Sequence, residues 1–347
     1  MRQSLLLCSL AFSSAAAGGP IPIPELIFSF DAAFGNYMVL QQAPAHAAVY
    51  GFLDFNAAVA NAVVSVTMTP DGGTPTTIQA TLNTTAQTFG ADWGVRPCPT
   101  CQAMPPPFNP WNTPLASWKV LLPPTSAGGA TPNYSITATC VGCSSAAPTT
   151  ISLSNVVFGD MWYCTGQSNM WLPVIHTYPR NETARNITLG KYSNIRMMAG
   201  SSGSTVRSGA TIPTKPAPVN VTQPWPIPYG GVNGSNPWMT AAQAAPEGCV
   251  DAGNCSLFNV GATCWYFAQG LADLGITTPI GIVDTAIGGQ RIEEFMPNAS
   301  INLCSDRSGA TTPWWDAQLF GQQVIPFVDM TVKGFLWYQG ENVLLLL

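Results

Sequence analysis

Near residue 151 the chain changes its pattern. Before that point, apolar and polar residues alternate in short runs bounded by Pro, Gly and Asp; after it, apolar strands alternate with helical spacing. The first pattern belongs to small antiparallel sheets, the second to a parallel sheet in an α/β domain. Leu26, Phe28 and Phe30 open the first part, followed by short apolar runs at 37–41 and 47–52. Residues 62–69 alternate β-branched side chains, Asp71-Gly72-Gly73 marks a turn, and 76–82 reads as the partner strand. Two more strands are expected at 118–122 and 134–140. Residues 25–150 are therefore expected to form an all-β, sandwich-like module. Beyond it come a short strand at 195–198, a long polar loop at 201–253, and a helix over 260–274 closed by Gly275. Strands at 279–283 and 332–338 follow, with a weakly helical stretch at 319–324 between them.

The two patterns meet in residues 156–170, VVFGDMWYCTGQSNM. Val156, Val157 and Phe158 form an apolar run, Gly159-Asp160 marks a bend, and Met161 to Cys164 resume the run. Thr165-Gly166 then releases the backbone, leaving Ser168 in a tight turn between Gln167 and Asn169. A serine beyond a strand end lies where open α/β sheets bind ligands. The alternative is a simple helix N-cap, a role that serine favours.

Only 8% of the 347 residues are charged, against about 25% in most soluble domains. The net charge of -5 excludes a basic nucleic-acid footprint, and the 46% hydrophobic content excludes a disordered chain. Asn-x-Ser/Thr triplets at Asn83, Asn133, Asn181, Asn186, Asn220, Asn233, Asn254 and Asn298 fit a glycosylated, exported surface. Arg2, an apolar run at 5–12 and small residues at 13–19 read as a signal peptide over 1–17. A signal anchor is the alternative, but the apolar run is short of the roughly 20 residues of a stable span.

Of the 10 cysteines, Cys8 would leave with that leader, and the odd number remaining implies a free or intermolecular thiol. Cys164 is expected to be the buried free one, with a disulfide as the alternative. Cys98-x-x-Cys101 and Cys140-x-x-Cys143 have zinc-site spacing, yet an exported chain with both in Pro/Gly/Ser-rich loops favours disulfides. No metal or other cofactor is expected.

Three strand ends carry chemistry: Ser168, Gly288-Gly289, and Gln339 to Asn342. Following apolar strands of one sheet, they should open on the same edge. A nucleophile needs a proton acceptor and donors for the oxyanion. Gly289 allows a backbone N–H to approach a substrate closely, and the Gln339 or Asn342 amide is a further donor.

The GQSNM block resembles the nucleophile block of the sialate O-acetylesterase family, among the SGNH hydrolases. FGNYMVLQ at 34–41 with VYG at 49–51, WKVLLPP at 118–124, GIVDT at 281–285 through Gly289 and Ile292-Glu293, and KGFLWYQGE at 333–341 resemble its other signatures, in order. The resemblance implies an SGNH-like three-layer α/β domain with a parallel sheet over 151–347, incomplete at its C-terminus. It implies a secreted or lumenal serine esterase acting on O-acetylated sialic acids or related acetylated sugars. Ser168 would be the nucleophile, and the N–H groups of Ser168 and Gly289 with Gln339 the oxyanion hole. Asn342 ranks below Gln339, and Glu341 would orient neighbours.

The family's base lies in an Asp-x-x-His block, which this sequence lacks. His46 falls in the β module. His176 is eight positions past Ser168, about 12 Å along a helix axis, against the roughly 3 Å a general base needs. The chain is accordingly expected to be part of a longer enzyme. The alternative is a non-catalytic carbohydrate-binding relative.

Overall fold

The computed structural model describes residues 28–31, 33–54, 61–87, 115–127, 133–143, 149–199, 238–253, 255–301, 303, 319–324 and 327–341. The leader at 1–17, Cys98, Cys101, Cys304, Asn342, residues 201–237 and the triplets at Asn220, Asn233 and Asn254 lie outside them.

Strands β1 (Phe28–Phe30), β2 (Val39–Gln41), β3 (Ala48–Asp54), β4 (Val63–Pro70), β5 (Thr76–Gln79), β6 (Thr81–Gln87), β7 (Leu115–Leu121) and β8 (Tyr134–Val141) precede the long β9 (Thr150–Gly166). After it come β10 (Ile195–Ala199), β11 (Trp238–Thr240), β12 (Ile280–Asp284) and β13 (Gly334–Tyr338). One antiparallel sheet has the order β1-β3-β7-β6; a mixed sheet has the order β11-β10-β12-β9-β8-β4-β5, with β2 and β13 also pairing with β9. The strand expected over 76–82 is two, because Ala80 turns inward: its N–H donates to Val64 O at 2.8 Å. β5 pairs with β4 while β6 pairs with β7 in the other sheet.

β9 belongs to both patterns. Its first residues pair antiparallel with β8; its last pair parallel with β12 and β13, and its middle with β2. This shared strand begins at Thr150, beside the change of pattern in the sequence. From Val156 to Gly159 and from Tyr163 to Gly166 consecutive residues are buried, as in a strand covered on both faces. Gly159-Asp160, read as a bend, lies inside the continuous strand. The irregularity sits earlier: Ser154 and Asn155 both oppose Ser135, and Asn155 has φ 55°. That is a β-bulge, which bends a strand and increases its twist, and Asn tolerates the left-handed conformation. Arg196 of β10 secures it, donating to Asn155 O, to Tyr37 O at 3.1 Å and to Asn133 Oδ1 at 3.2 Å.

Helices are few. Short α1 (Ser168–Trp171), α2 (Arg180–Thr188), α3 (Ala241–Ala244) and α4 (Cys249–Ala252) precede α5 (Ala262–Asp273), and α6 (Asn298–Ile301) follows. α5 is the expected helix, with Gly275 at φ 88° just beyond its end. The polar loop expected through 253 instead includes β11, α3 and α4. Cys264 and Trp265 of α5 are buried with Cys164, Ile195 and Ile282 in one core, while Phe158, Val64 and Trp118 belong to the core between the antiparallel strands.

The segment leading into β13 docks on the N-terminal strands. Thr331 Oγ1 accepts from Ala48 N at 3.1 Å and donates to His46 O at 2.8 Å, and Lys119 Nζ pairs with Asp329 Oδ1 at 2.6 Å. Nearby Asp31 is 5% exposed, and its carboxylate accepts a local bond from Ala33 N to Oδ1 at 2.9 Å. Burial, aided by the Asp329 charge, pushes its carboxyl from 3.8 up to about 7.

Candidate active site

The parallel pairing brings the three strand ends to one edge. Gly166 of β9 stands opposite Tyr338 of β13, and Cys164 opposite Asp284 of β12. Beyond the ladder, Gln167 N donates to Tyr338 O, Thr285 N to Cys164 O and Ile287 N to Gly166 O, each at 2.9 Å. The loops that follow the three strands are thus tied to one another at their roots. Gly166 is required here: its φ is 135°, and a Cβ would lie 2.0 Å from Tyr338 O.

Ser168 is the first residue of α1 and has φ 38°. The left-handed region is unfavourable for a residue with a Cβ, and such strain persists only where the surroundings hold it. The simple-cap reading fails, because the N-cap position belongs to Gln167 and no side chain caps the helix. Leu172 N donates to Ser168 O at 2.8 Å, closing the turn. Behind it, α5 clamps the following segment: Ala262 N donates to Leu172 O at 2.7 Å and Thr263 Oγ1 to Asn169 O at 3.0 Å.

Gly289 has φ 81° and no atom within 4 Å of the place a Cβ would occupy, so the space beside its backbone is open. Gln339, half-buried, reaches the same loop, its Nε2 lying 3.5 Å from Gln290 O. Glu341 was expected to orient neighbours, and its carboxylate accepts from Gln167 Nε2 at 2.7 Å and from Asn169 Nδ2 at 3.4 Å. Those bonds, the one from Gln167 foremost, hold its carboxyl below the ordinary carboxylate range.

Neither histidine joins this group among the described residues. His46 is exposed, with Nδ1 2.9 Å from Leu122 O, and His176 is exposed at the end of the turn Val174–His176. Cys164, expected to be free, is bonded to Cys264 of α5, which staples that helix to β9 two residues before Gly166. Cys249 pairs with Cys255. Cys140 pairs with Cys143, which removes two of the four sulfurs a zinc site would need. Among the described residues no helix is long and apolar enough to cross a membrane.

A family model described as "Carbohydrate esterase, sialic acid-specific acetylesterase" matches residues 223–343, a span that contains Gly289, Gln339 and Glu341 but not Ser168. A sialate O-acetylesterase from Mus musculus is 24% identical over 348 residues, covering 91% of this chain and 52% of its own length. The chain is similar in sequence to the sialate O-acetylesterases. The human sialate O-acetylesterase is 26% identical over 200 residues, covering 56% of this chain and 33% of its own length. The chain spans about half the length of the mouse relative. In fold it is similar to a carbohydrate acetylesterase from Xanthomonas citri, with TM-score 0.51 and 20% identity, covering 90% of this chain and 52% of that one. The mixed sheet with few helices is thus an arrangement shared with a solved acetylesterase.

Proposed function

We propose that this chain carries the nucleophile and oxyanion elements of a serine esterase that removes O-acetyl groups from sialic acids or related acetylated carbohydrates. The observation that carries the reading is the strained Ser168 turn, joined by backbone bonds to the loops that bear Gly289 and Gln339. Ser168 Oγ attacks the acetyl carbonyl carbon, and the carbonyl oxygen takes the negative charge. The N–H groups of Ser168 and Gly289, with the Gln339 amide, are the donors for that oxyanion. The bond to the sugar oxygen then breaks, the sugar leaves with a proton, and the acetyl group stays on Ser168. Water attacks this ester, releasing acetate and restoring the serine hydroxyl.

The same reading places 151–341 within an SGNH-like three-layer domain and the N-terminal strands in a β module. It also takes the chain through an export route: the three disulfides among the described residues suit an oxidising compartment. Exported surfaces also suit glycans at the asparagine triplets.

A second reading has its own support. With neither His46 nor His176 joined to Ser168, the chain by itself holds acetylated sugar without turning it over. Acetate release from O-acetylated sialic acid, compared between wild type and Ser168→Ala, separates the two. Release that vanishes in the variant supports the esterase. Equal rates for both proteins contradict it, and saturable sugar binding without release selects the second reading.

A further inference from the structure

The nucleophile turn is held from outside as well as from below. Gln167 and Asn169 flank Ser168, and both side chains converge on the carboxylate that follows β13. Gln167 is fully buried, so its amide has few orientations, and Nε2 is directed at Glu341 Oε2, 2.7 Å away. Its Oε1 has no partner among the described residues, which leaves Glu341 as the group that fixes the amide. Asn169 is exposed, and its Nδ2 lies 3.4 Å from Glu341 Oε1 and 3.5 Å from Tyr338 Oη. Ser168, between them, is held at φ 38°.

We propose that Glu341 is a positioning residue for Ser168, clamping the two neighbours of the serine and so holding its backbone in the left-handed conformation. The proposal rests on the esterase reading for its purpose, though not for its geometry. A carboxylate suits the task because both oxygens accept at once, and bonds to a charged acceptor are stronger than neutral ones. Placement after β13 suits it as well. The Gly166–Tyr338 pairing and the bond from Gln167 N to Tyr338 O fix the root of the loop, so the carboxylate has only a short reach to the turn. Glu341 touches neither the acetyl group nor the oxyanion donors in this scheme. It acts through Gln167 and Asn169.

Amide hydrogen exchange of the full chain tests this without requiring turnover. Glu341→Ala is expected to speed exchange at Met170 and Leu172, whose N–H groups close the turn, by roughly threefold to tenfold. The melting temperature should stay near that of wild type, because Glu341 is exposed. Glu341→Gln keeps the shape and one acceptor, and is expected to restore most of the protection. Unchanged exchange in Glu341→Ala overturns the proposal. So does a uniform rise across the sheet, which would make Glu341 a general support of the fold. Fluorophosphonate labelling of the same proteins reports separately on the esterase reading. If wild type labels, Glu341→Ala should label more slowly. If wild type does not label, the esterase reading fails and exchange alone decides the clamp.

Discussion

Asp31 gives the chain a pH dependence of stability with a definite sign. Its carboxyl is buried within reach of the Asp329 charge, and burial raises it from 3.8 to about 7. Between those values the folded chain holds a proton that the unfolded chain has released. Stability therefore falls as pH rises through that window. Below it both states are protonated, and above it both are ionised, so the contribution is flat at either end. At about 1.4 kcal/mol per decade the full rise is of order 4 kcal/mol, a large share of the 5–15 kcal/mol by which domains are usually stable. Asp31→Asn keeps the acceptor for Ala33 N and removes the ionisation. It is expected to stabilise the chain at pH 8 by about 2–4 kcal/mol and to change little at pH 4. Urea unfolding followed by tryptophan fluorescence at pH 4, 5, 6, 7 and 8 measures this. A variant that keeps the wild-type slope, or loses stability at pH 8, refutes the argument that the carboxylate is ionised at a desolvation cost.

Two further outcomes follow from the site's construction. Gly166→Ala places a Cβ 2.0 Å from Tyr338 O at φ 135°. It is expected to destabilise by roughly 3 kcal/mol or more and to abolish reaction at Ser168, with thermal melting and serine labelling as the readouts. Replacing Cys164 and Cys264 together by Ala opens a link between residues 100 apart in sequence. The cost in urea unfolding should be about 2–5 kcal/mol, and exchange should rise first in α5 and the Ser168 turn.

Much of the site is legible in the residues because each part follows an apolar run. Strands at 280–284 and 334–338 announce themselves by composition, and small or polar residues directly after them mark loops that substrates can approach. The continuity of β9 is not legible. Gly159-Asp160 carries a turn signature, and only the neighbouring strands reveal that it lies within a ladder. The bulge at Asn155 is equally silent, because the Arg196 side chain that holds its carbonyl lies 41 residues away. Ala80 divides one apparent strand between two sheets, which alternation alone does not disclose. Cys164 looked like a free thiol from its apolar surroundings, but disulfide pairing across such a separation depends on how α5 packs. The clamp by Glu341 has the same character. A charged residue beside a site is visible in the sequence, and its partners are set by the register of β13 against β9.

Active-site labelling tests the claim on which the functional account turns. The full chain is treated with a fluorophosphonate and digested, and the adduct is located by mass spectrometry. The expected result is a single adduct on Ser168, absent from Ser168→Ala and suppressed by O-acetylated sialic acid. An adduct on another serine, or none on a correctly folded chain, contradicts the assignment of Ser168 as an activated nucleophile.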